Sequence, residues 1–232
     1  MTKEIYTVED GDYLKNNPTW HIEDSPWKAK QIIKMLKKNP TNPKSIAEIG
    51  CGAGEILNQL YHSMSDDIKF TGYDISTDAI KFAKQRQQER LDYKLEDFLK
   101  TDNHYDLLLM IDVFEHVDDY LGFLRSCKTK SKNTIFHIPL DISAQGILRN
   151  KLMSGRKSVG HLHYFMKETA LATLVDSGYE IIDYFYTSGS IDLPRKTIKS
   201  KIAVLPRKIM FNVNKDLAAR LLGGFSLLVL TK

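Results

Sequence analysis

The sequence has few of the features that mark special classes of protein. Two cysteines among 232 residues, Cys51 and Cys127, give neither a disulfide framework nor metal-ligand spacing. The longest apolar run, Leu221 to Leu230, is about half the ~20 residues that a membrane span needs. Gly223 and Gly224 interrupt it, so it reads as a helix end, a turn and a strand. The start, Met-Thr-Lys-Glu-Ile, has no apolar signal region, and a cytoplasmic protein is expected. There is no internal repeat and no low-complexity segment. With 42% hydrophobic and 27% charged residues, the chain has the composition of an ordinary globular protein, long enough for one α/β domain with additions.

Acid is missing from one stretch. Between Pro194 and Lys215 stand Arg195, Lys196, Lys199, Lys201, Arg207, Lys208 and Lys215 with no Asp or Glu, whereas elsewhere 29 acids outnumber 26 bases. Such a segment is either a solvated face or a contact with an anionic substrate or membrane surface. Ile198, Ile202, Ile209 and Met210 lie among these bases, which suits anionic lipid or a lipid-linked substrate. Peripheral membrane contact through residues 195–215 is the sharper expectation.

Glycine is concentrated where it carries chemistry. Glu48-Ile-Gly-Cys-Gly-Ala-Gly54 follows a short apolar run and leads into the helical stripe Ile56, Leu57, Leu60, Tyr61 and Met64. Gly50, Gly52 and Gly54 strip side chains from the turn, so a nucleotide-like ligand can approach backbone N–H groups and a helix start. Cys51 sits among them as a small filler. Glu48, at the strand end, suits a cationic or amino-bearing ligand. A dinucleotide fingerprint would place glycine three after Gly52, and Glu55 stands there instead. Its charge opposes a pyrophosphate, and the turn has no nearby lysine or arginine to bind one.

From about residue 44, strand and helix signals alternate, as in a doubly wound parallel sheet. Strands are expected at Ser45 to Ile49, Ile68 to Tyr73, Tyr93 to Leu95, Tyr105 to Ile111, Thr134 to Ile138, Tyr179 to Tyr186 and Phe225 to Leu230. Residues 1–43 are expected to form an N-terminal helical extension or lid, with a helix from Trp27 to Leu36, and 44–232 a single cofactor-binding domain. Residues 141–163 read as an irregular insertion. Residues 188–224 read as a long crossover, helical from Lys208 to Leu222. Asp74, 22 residues after Gly52, ends the second strand beside Ile75, where a carboxylate accepts ribose hydroxyls. Asp97 and Phe98 follow the third strand, placed to accept an adenine amine and to cover a ring face.

The run E-x-G-x-G-x-G resembles motif I of the class I S-adenosylmethionine-dependent methyltransferases. Met110-Ile-Asp-Val-Phe-Glu-His116 resembles motif IV of the small-molecule members. Thr134-Ile-Phe-His-Ile-Pro139 and Gly160-His-Leu-His-Tyr-Phe165 resemble later segments of the group. Asn17-Pro-Thr-Trp-His21 and Ser25-Pro-Trp-Lys28 resemble its N-terminal regions more loosely. The resemblance covers about residues 45 to 188. It implies a Rossmann-like, mostly parallel seven-stranded sheet with the last strand antiparallel, and S-adenosylmethionine as cofactor. The acceptor then takes the methyl group by SN2 displacement, through an oxygen of a small, lipid-linked or saccharide-linked molecule. Asp112-Val-Phe-Glu115 departs from the Asn/Asp-Pro-Pro-aromatic pattern of enzymes that methylate nucleic-acid bases, so a nucleic-acid acceptor is disfavoured.

Within that frame Asp112 and Val113 shape the methionine end of the cofactor site. His116 is the candidate base, because imidazole titrates near working pH. His161 and His163, two apart, face one side of an extended segment and are candidate acceptor contacts. No metal site is expected. His137, inside an apolar strand, reads as a satisfied core histidine. Trp20 and Trp27 are lid or anchor residues, with Lys28 near the cofactor carboxylate. Two other classes stay open: a nicotinamide-dependent oxidoreductase, and a non-catalytic protein that binds S-adenosylmethionine.

Overall fold

The structure, a computed structural model, describes residues 19–20, 22–194, 202 and 204–232. Seven strands form one sheet in the order β3-β2-β1-β4-β5-β7-β6. They are β1 (Ser45–Ile49), β2 (Lys69–Asp74), β3 (Leu91–Leu95), β4 (Tyr105–Ile111), β5 (Ser131–Pro139), β6 (Ile181–Thr187) and β7 (Ser226–Thr231). β1 to β5 pair in parallel, and β7 is antiparallel to both β5 and β6. The expected Rossmann-like architecture is therefore present.

Burial explains why β4 is a continuous apolar run. Leu107, Leu109 and Ile111 pack into the core on one face, and Leu108 and Met110 into the core on the other. β7 divides in the same way, Leu227 and Val229 against Leu228 and Leu230. Strands covered by helices on both faces lose the alternation that a half-exposed strand shows. Pairing also carries β5 beyond its apolar centre, because Ser131 is in register with Tyr105 and Asn133 with Leu107.

The helical layer starts with α1 (Ser25–Lys38), which buries Ala29, Ile32 and Met35. α2 (Glu55–Ser63) and α3 (Thr77–Ala83) follow, the latter capped by the Ser76 side chain. α4 (Tyr120–Lys128) connects β4 to β5. The segment read as irregular holds two short helices, α5 (Ala144–Leu148) and α6 (Lys151–Ser158). Ser143 caps α5 through the Gly146 N–H, but α6 buries nothing and α5 only Gly146, so neither produces an apolar period. α7 (Lys167–Asp176) precedes β6, and the short α8 (Gly189–Asp192) follows it. The crossover helix is two helices, α9 (Val204–Val213) and α10 (Lys215–Leu222). Asn214 breaks them, its side chain accepting the Leu217 N–H. Of the basic crossover, Arg195, Lys196, Lys199 and Lys201 lie outside the described residues, as do Ile198, Asn17, Pro18 and His21. Among the described residues no helix is long and apolar enough to cross a membrane.

Candidate active site

A cleft of about 1160 Å³ opens at the C-terminal ends of β1, β2 and β4. Its floor is the glycine turn. Gly50, Gly52 and Gly54 have φ of +66°, +53° and +77°, a region that L side chains rarely occupy. Two of the three also lack space for a side chain. A Cβ on Gly50 would stand 2.9 Å from Val113, and one on Gly54 would stand 2.5 Å from the Tyr93 ring. A Cβ on Gly52 would meet only Trp20, at 3.8 Å, so this glycine keeps the floor open to the cleft. The Gly52 N–H donates to Asp74 Oδ2 at 2.9 Å and the Ser76 N–H to Oδ1 at 2.8 Å. Asp74 thus ties the turn to β2 while lining the cleft beside Ile75. Burial raises its pKa, and the backbone N–H bonds oppose the rise. Cys51 is buried under the turn, and burial pushes its thiol well up.

Glu48 lines the same cleft, almost fully buried, and Oε2 has no hydrogen-bond partner among the described residues. Burial holds its pKa well above the carboxylate range, against the attraction of Lys28. Asp97 accepts the Leu99 N–H. The Phe98 ring packs into the core against Tyr73, at 5.1 Å between centroids, and only 2% of the residue is exposed. Phe98 thus serves mainly as wall, while Glu96 and Leu99 also line this end of the cleft. An arginine does reach the start of α2, just past the turn, but it does not line the cleft. The 3-10 turn Lys84–Arg86 brings Arg86 to Glu55, 31 residues away in sequence, and the pair is hydrogen-bonded.

At the opposite end, four side chains form a chain. Lys28 Nζ lies 2.7 Å from Asp112 Oδ2, Asp112 Oδ1 lies 2.6 Å from His137 Nδ1, and His137 Nε2 lies 2.8 Å from Thr187 Oγ1. Asp112 has φ +56°, the left-handed conformation that turns its carboxylate between Lys28 and His137. Burial works against its charge, but His137 and Lys28 hold its pKa well below the carboxylate range. Lys28 is itself raised, since the pairing with Asp112 outweighs the cost of burial. Trp27 meets the His137 ring edge-on at 6.2 Å and donates through Nε1 to Asp192. His137 is satisfied and buried, as read from its strand, but it also lines the cleft.

The segment after β4 holds Glu115, His116 and, across the cleft wall, His161. Leu162 and His163 both donate their N–H groups to the Glu115 carbonyl, at 2.8 and 3.1 Å. Two successive N–H groups on one acceptor bend the chain, so the two histidines do not share a side. His161 lines the cleft, with Nδ1 2.7 Å from Asp141 Oδ2. His163 instead turns to the Val117 carbonyl and packs its ring, tilted by 41°, against Tyr120 at 4.3 Å between centroids. His116 also lines the cleft, but burial and the nearby His161 lower its pKa to about 4. It is therefore neutral at ordinary pH and a poor base there. Burial raises Glu115 well above the carboxylate range, and the charge of Asp112 adds to the rise.

A family model described as a methyltransferase domain matches residues 47–133. That segment is thus similar to a methyltransferase domain, and the chain as a whole has the fold of class I S-adenosylmethionine-dependent methyltransferases. The ubiquinone biosynthesis O-methyltransferase of Actinobacillus pleuropneumoniae is 28% identical over 146 residues, 55% of this chain and 61% of that protein. The match thus spans about three fifths of that curated relative. Among solved structures, magnesium protoporphyrin IX methyltransferase from Synechocystis, with bound S-adenosylhomocysteine, has a TM-score of 0.59 at 15% identity. That match covers 89% of this chain and 82% of the other. The N-methyltransferase NodS from Bradyrhizobium japonicum, also with S-adenosylhomocysteine, has a TM-score of 0.58 at 15% identity, covering 95% and 97%. At these identities the two structures speak for the fold alone.

The cleft gathers Glu48, Gly50, Cys51, Gly52, Asp74, Ile75, Asp97, Phe98, Asp112, Val113, His116 and His161, whereas Gly54 and His163 are not among the residues that line it. Sequence reading missed the partners of these residues: Thr187 for His137, Asp141 for His161 and Arg86 for Glu55. None carries a local signal, because each comes from an element remote in sequence.

Proposed function

We propose that this chain binds S-adenosylmethionine over the glycine turn and transfers its methyl group to an oxygen of a small, lipid-linked or saccharide-linked molecule. The observation that carries this reading is the convergence of the open Gly52 floor, Asp74, Asp97 and Asp112 on one cleft. Bare backbone at Gly52 suits close approach of the cofactor, and Asp74 has lone pairs for ribose hydroxyls. The relatives named as O-methyltransferases support oxygen as acceptor.

In the transfer, a lone pair of the acceptor oxygen forms the O–C bond as the C–S bond breaks. The sulfur keeps that electron pair, and the hydroxyl proton must leave. Orientation is the protein's main contribution, worth up to ~7–11 kcal/mol in well-aligned reactions. Held near 4, His116 contacts the acceptor side of the cleft better than it removes a proton at neutral pH. α1 is the lid, fixed over the cleft by Lys28 and Trp27.

The test is calorimetric titration with S-adenosylmethionine and S-adenosylhomocysteine, wild type beside Asp74→Ala and Asp97→Ala. Micromolar binding that weakens in both variants, with folding preserved, supports the reading. Failure of folded wild type to bind either ligand, with binding of NAD(H) instead, overturns it in favour of an oxidoreductase. Binding without turnover of labelled methyl against any acceptor points to a non-catalytic protein.

A peripheral membrane contact also belongs to this proposal. Ile202, Leu205, Ile209 and Val213 are all more than half exposed and lie at helical spacing along the crossover, with Lys208 beside them. An apolar stripe flanked by base suits the interface of an anionic bilayer. Arg207 is not part of it, since it bonds Gln145 and the Leu222 carbonyl.

A further inference from the structure

His137 lies at the cleft with both ring nitrogens already engaged. Nδ1 is 2.6 Å from Asp112 Oδ1, and Nε2 is 2.8 Å from Thr187 Oγ1. An acid, an imidazole and a hydroxyl in that order have the connectivity of a nucleophilic triad. The hydroxyl is in the wrong place for one. Thr187 is 2% exposed and is not among the residues that line the cleft, so no substrate reaches it. With neither nitrogen open, His137 is not placed to take a proton from an acceptor. What remains for it is to hold Asp112.

The hold is double. β4 and β5 set Ile111 beside His137, and the Asp112 N–H donates to the His137 carbonyl at 3.0 Å. The His137 ring then reaches back to the Asp112 carboxylate. Asp112 keeps a left-handed backbone, φ +56°, which a residue other than glycine sustains only where its surroundings fix it. His137 and Lys28 keep the buried carboxylate charged, so the imidazole is the donor at Nδ1. In the neutral ring Nε2 then accepts from the Thr187 hydroxyl, which fixes the tautomer and the ring angle. Oδ1 is thereby held, while Oδ2 meets Lys28 at 2.7 Å. The side chains of Lys28 and Asp112 are 17% and 26% exposed, and both line the cleft. A cation and an anion side by side match a ligand end that carries both charges, as the ammonium and carboxylate of an amino acid do.

We infer that His137 is a positioning residue for the amino-acid end of the cofactor, acting through Asp112 and locked by Thr187. The inference rests on the methyl-transfer reading above, which supplies a ligand with that end. The ligand's ammonium takes Asp112 and its carboxylate takes Lys28, so the ion pair between the two side chains opens to admit it. During that exchange the bond from Nδ1 keeps Asp112 turned into the cleft as Lys28 lets go. His137 acts on the ligand only through this carboxylate.

The experiment compares two amides at one position, by calorimetry on the full chain. Asn carries its NH₂ group where His carries Nδ1, and Gln carries it where His carries Nε2. His137→Asn therefore keeps a donor for Asp112, whereas His137→Gln offers one only to Thr187. The probes are S-adenosylhomocysteine, which has the amino-acid end, and methylthioadenosine, which lacks it. A hydrogen bond to a charged group is worth roughly 10–100-fold in an equilibrium constant. His137→Gln should lose about that much affinity for S-adenosylhomocysteine, and His137→Asn should stay within about 3-fold of wild type. Both should bind methylthioadenosine as wild type does, with unchanged circular dichroism. In an Asp112→Asn background the two variants should bind S-adenosylhomocysteine alike, because the residue they act through is gone. Thr187→Val keeps the imidazole and removes only its lock. It should also weaken S-adenosylhomocysteine and spare methylthioadenosine, and it carries the test if the variants at His137 do not fold. Equal affinities of His137→Gln and His137→Asn for S-adenosylhomocysteine, or equal losses toward both probes, overturn the inference and leave the methyl-transfer reading intact. Folded wild type that binds neither probe overturns that reading, and the inference with it.

Discussion

Substituting alanine at two glycines of one turn should separate folding from binding. At Gly54, φ of +77° places alanine in the left-handed region, at a cost of about 1–2 kcal/mol. The new Cβ would stand 2.5 to 2.8 Å from Tyr93 ring and hydroxyl atoms. Tyr93 is 2% exposed and cannot swing out, so overpacking adds about 1–3 kcal/mol. The Tyr93 hydroxyl also donates to the Gly54 carbonyl at 2.6 Å, and displacing it puts a further ~1 kcal/mol at risk. These terms overlap, and a loss of about 3–5 kcal/mol is expected for Gly54→Ala. For a domain of this size that lowers the melting temperature by roughly 6–20 °C. At Gly52 the φ cost is similar, but the Cβ meets only Trp20 at 3.8 Å. Gly52→Ala should lose only about 1–2 kcal/mol, and it should lose cofactor affinity because its methyl enters the cleft. Urea denaturation and calorimetry with S-adenosylhomocysteine measure both quantities on both variants. Equal stability losses in the two variants, or Gly54→Ala within 1 kcal/mol of wild type, would refute the packing argument. Unchanged affinity in Gly52→Ala would refute the placement of the ligand.

Other substitutions probe the charged residues around the cleft. Lys28→Met breaks a pair whose side chains are 17% and 26% exposed, so the loss should be about 2 kcal/mol by urea denaturation, below the ~3–5 of a fully buried pair. Asp112 has a depressed pKa, so its contribution is complete above about pH 4 and fades as the pH falls below that. Acid titration of Asp112→Asn should lack this component of acid unfolding. Glu48 has a raised pKa, so the folded state holds a proton that the unfolded state releases, and stability falls as pH rises above about 4. Glu48→Gln in unliganded protein should flatten that slope between pH 4 and 8, as read from urea midpoints. Leu205→Glu with Ile209→Glu should abolish co-sedimentation with anionic liposomes and leave S-adenosylhomocysteine binding intact; binding to liposomes unchanged by both substitutions removes the membrane contact.

Much of this molecule was legible in the chain because it rests on local rules. The glycines at 50, 52 and 54 announced a turn stripped of side chains, and in the structure all three take left-handed backbone. The run Tyr105 to Ile111 announced a strand covered on both faces, and its bounds match the structure residue for residue. Asp74 could be placed because a strand end followed by a capping serine fixes where the carboxylate emerges. Short helices that bury almost nothing, α5 and α6, left no period to read. The tertiary structure alone decided the pairings. His137 sits in an apolar strand, and only the approach of β6 and α1 gives it Thr187 and, through Asp112, Lys28. The spacing of His161 and His163 suggested a shared face, and the N–H bonds to Glu115 turned them apart. The same bonds brought His161 to Glu115 and His116 across 45 residues of sequence. Propensity and periodicity act over a few residues and are written in the chain, whereas the partner of a buried charge is chosen by the packing of distant elements.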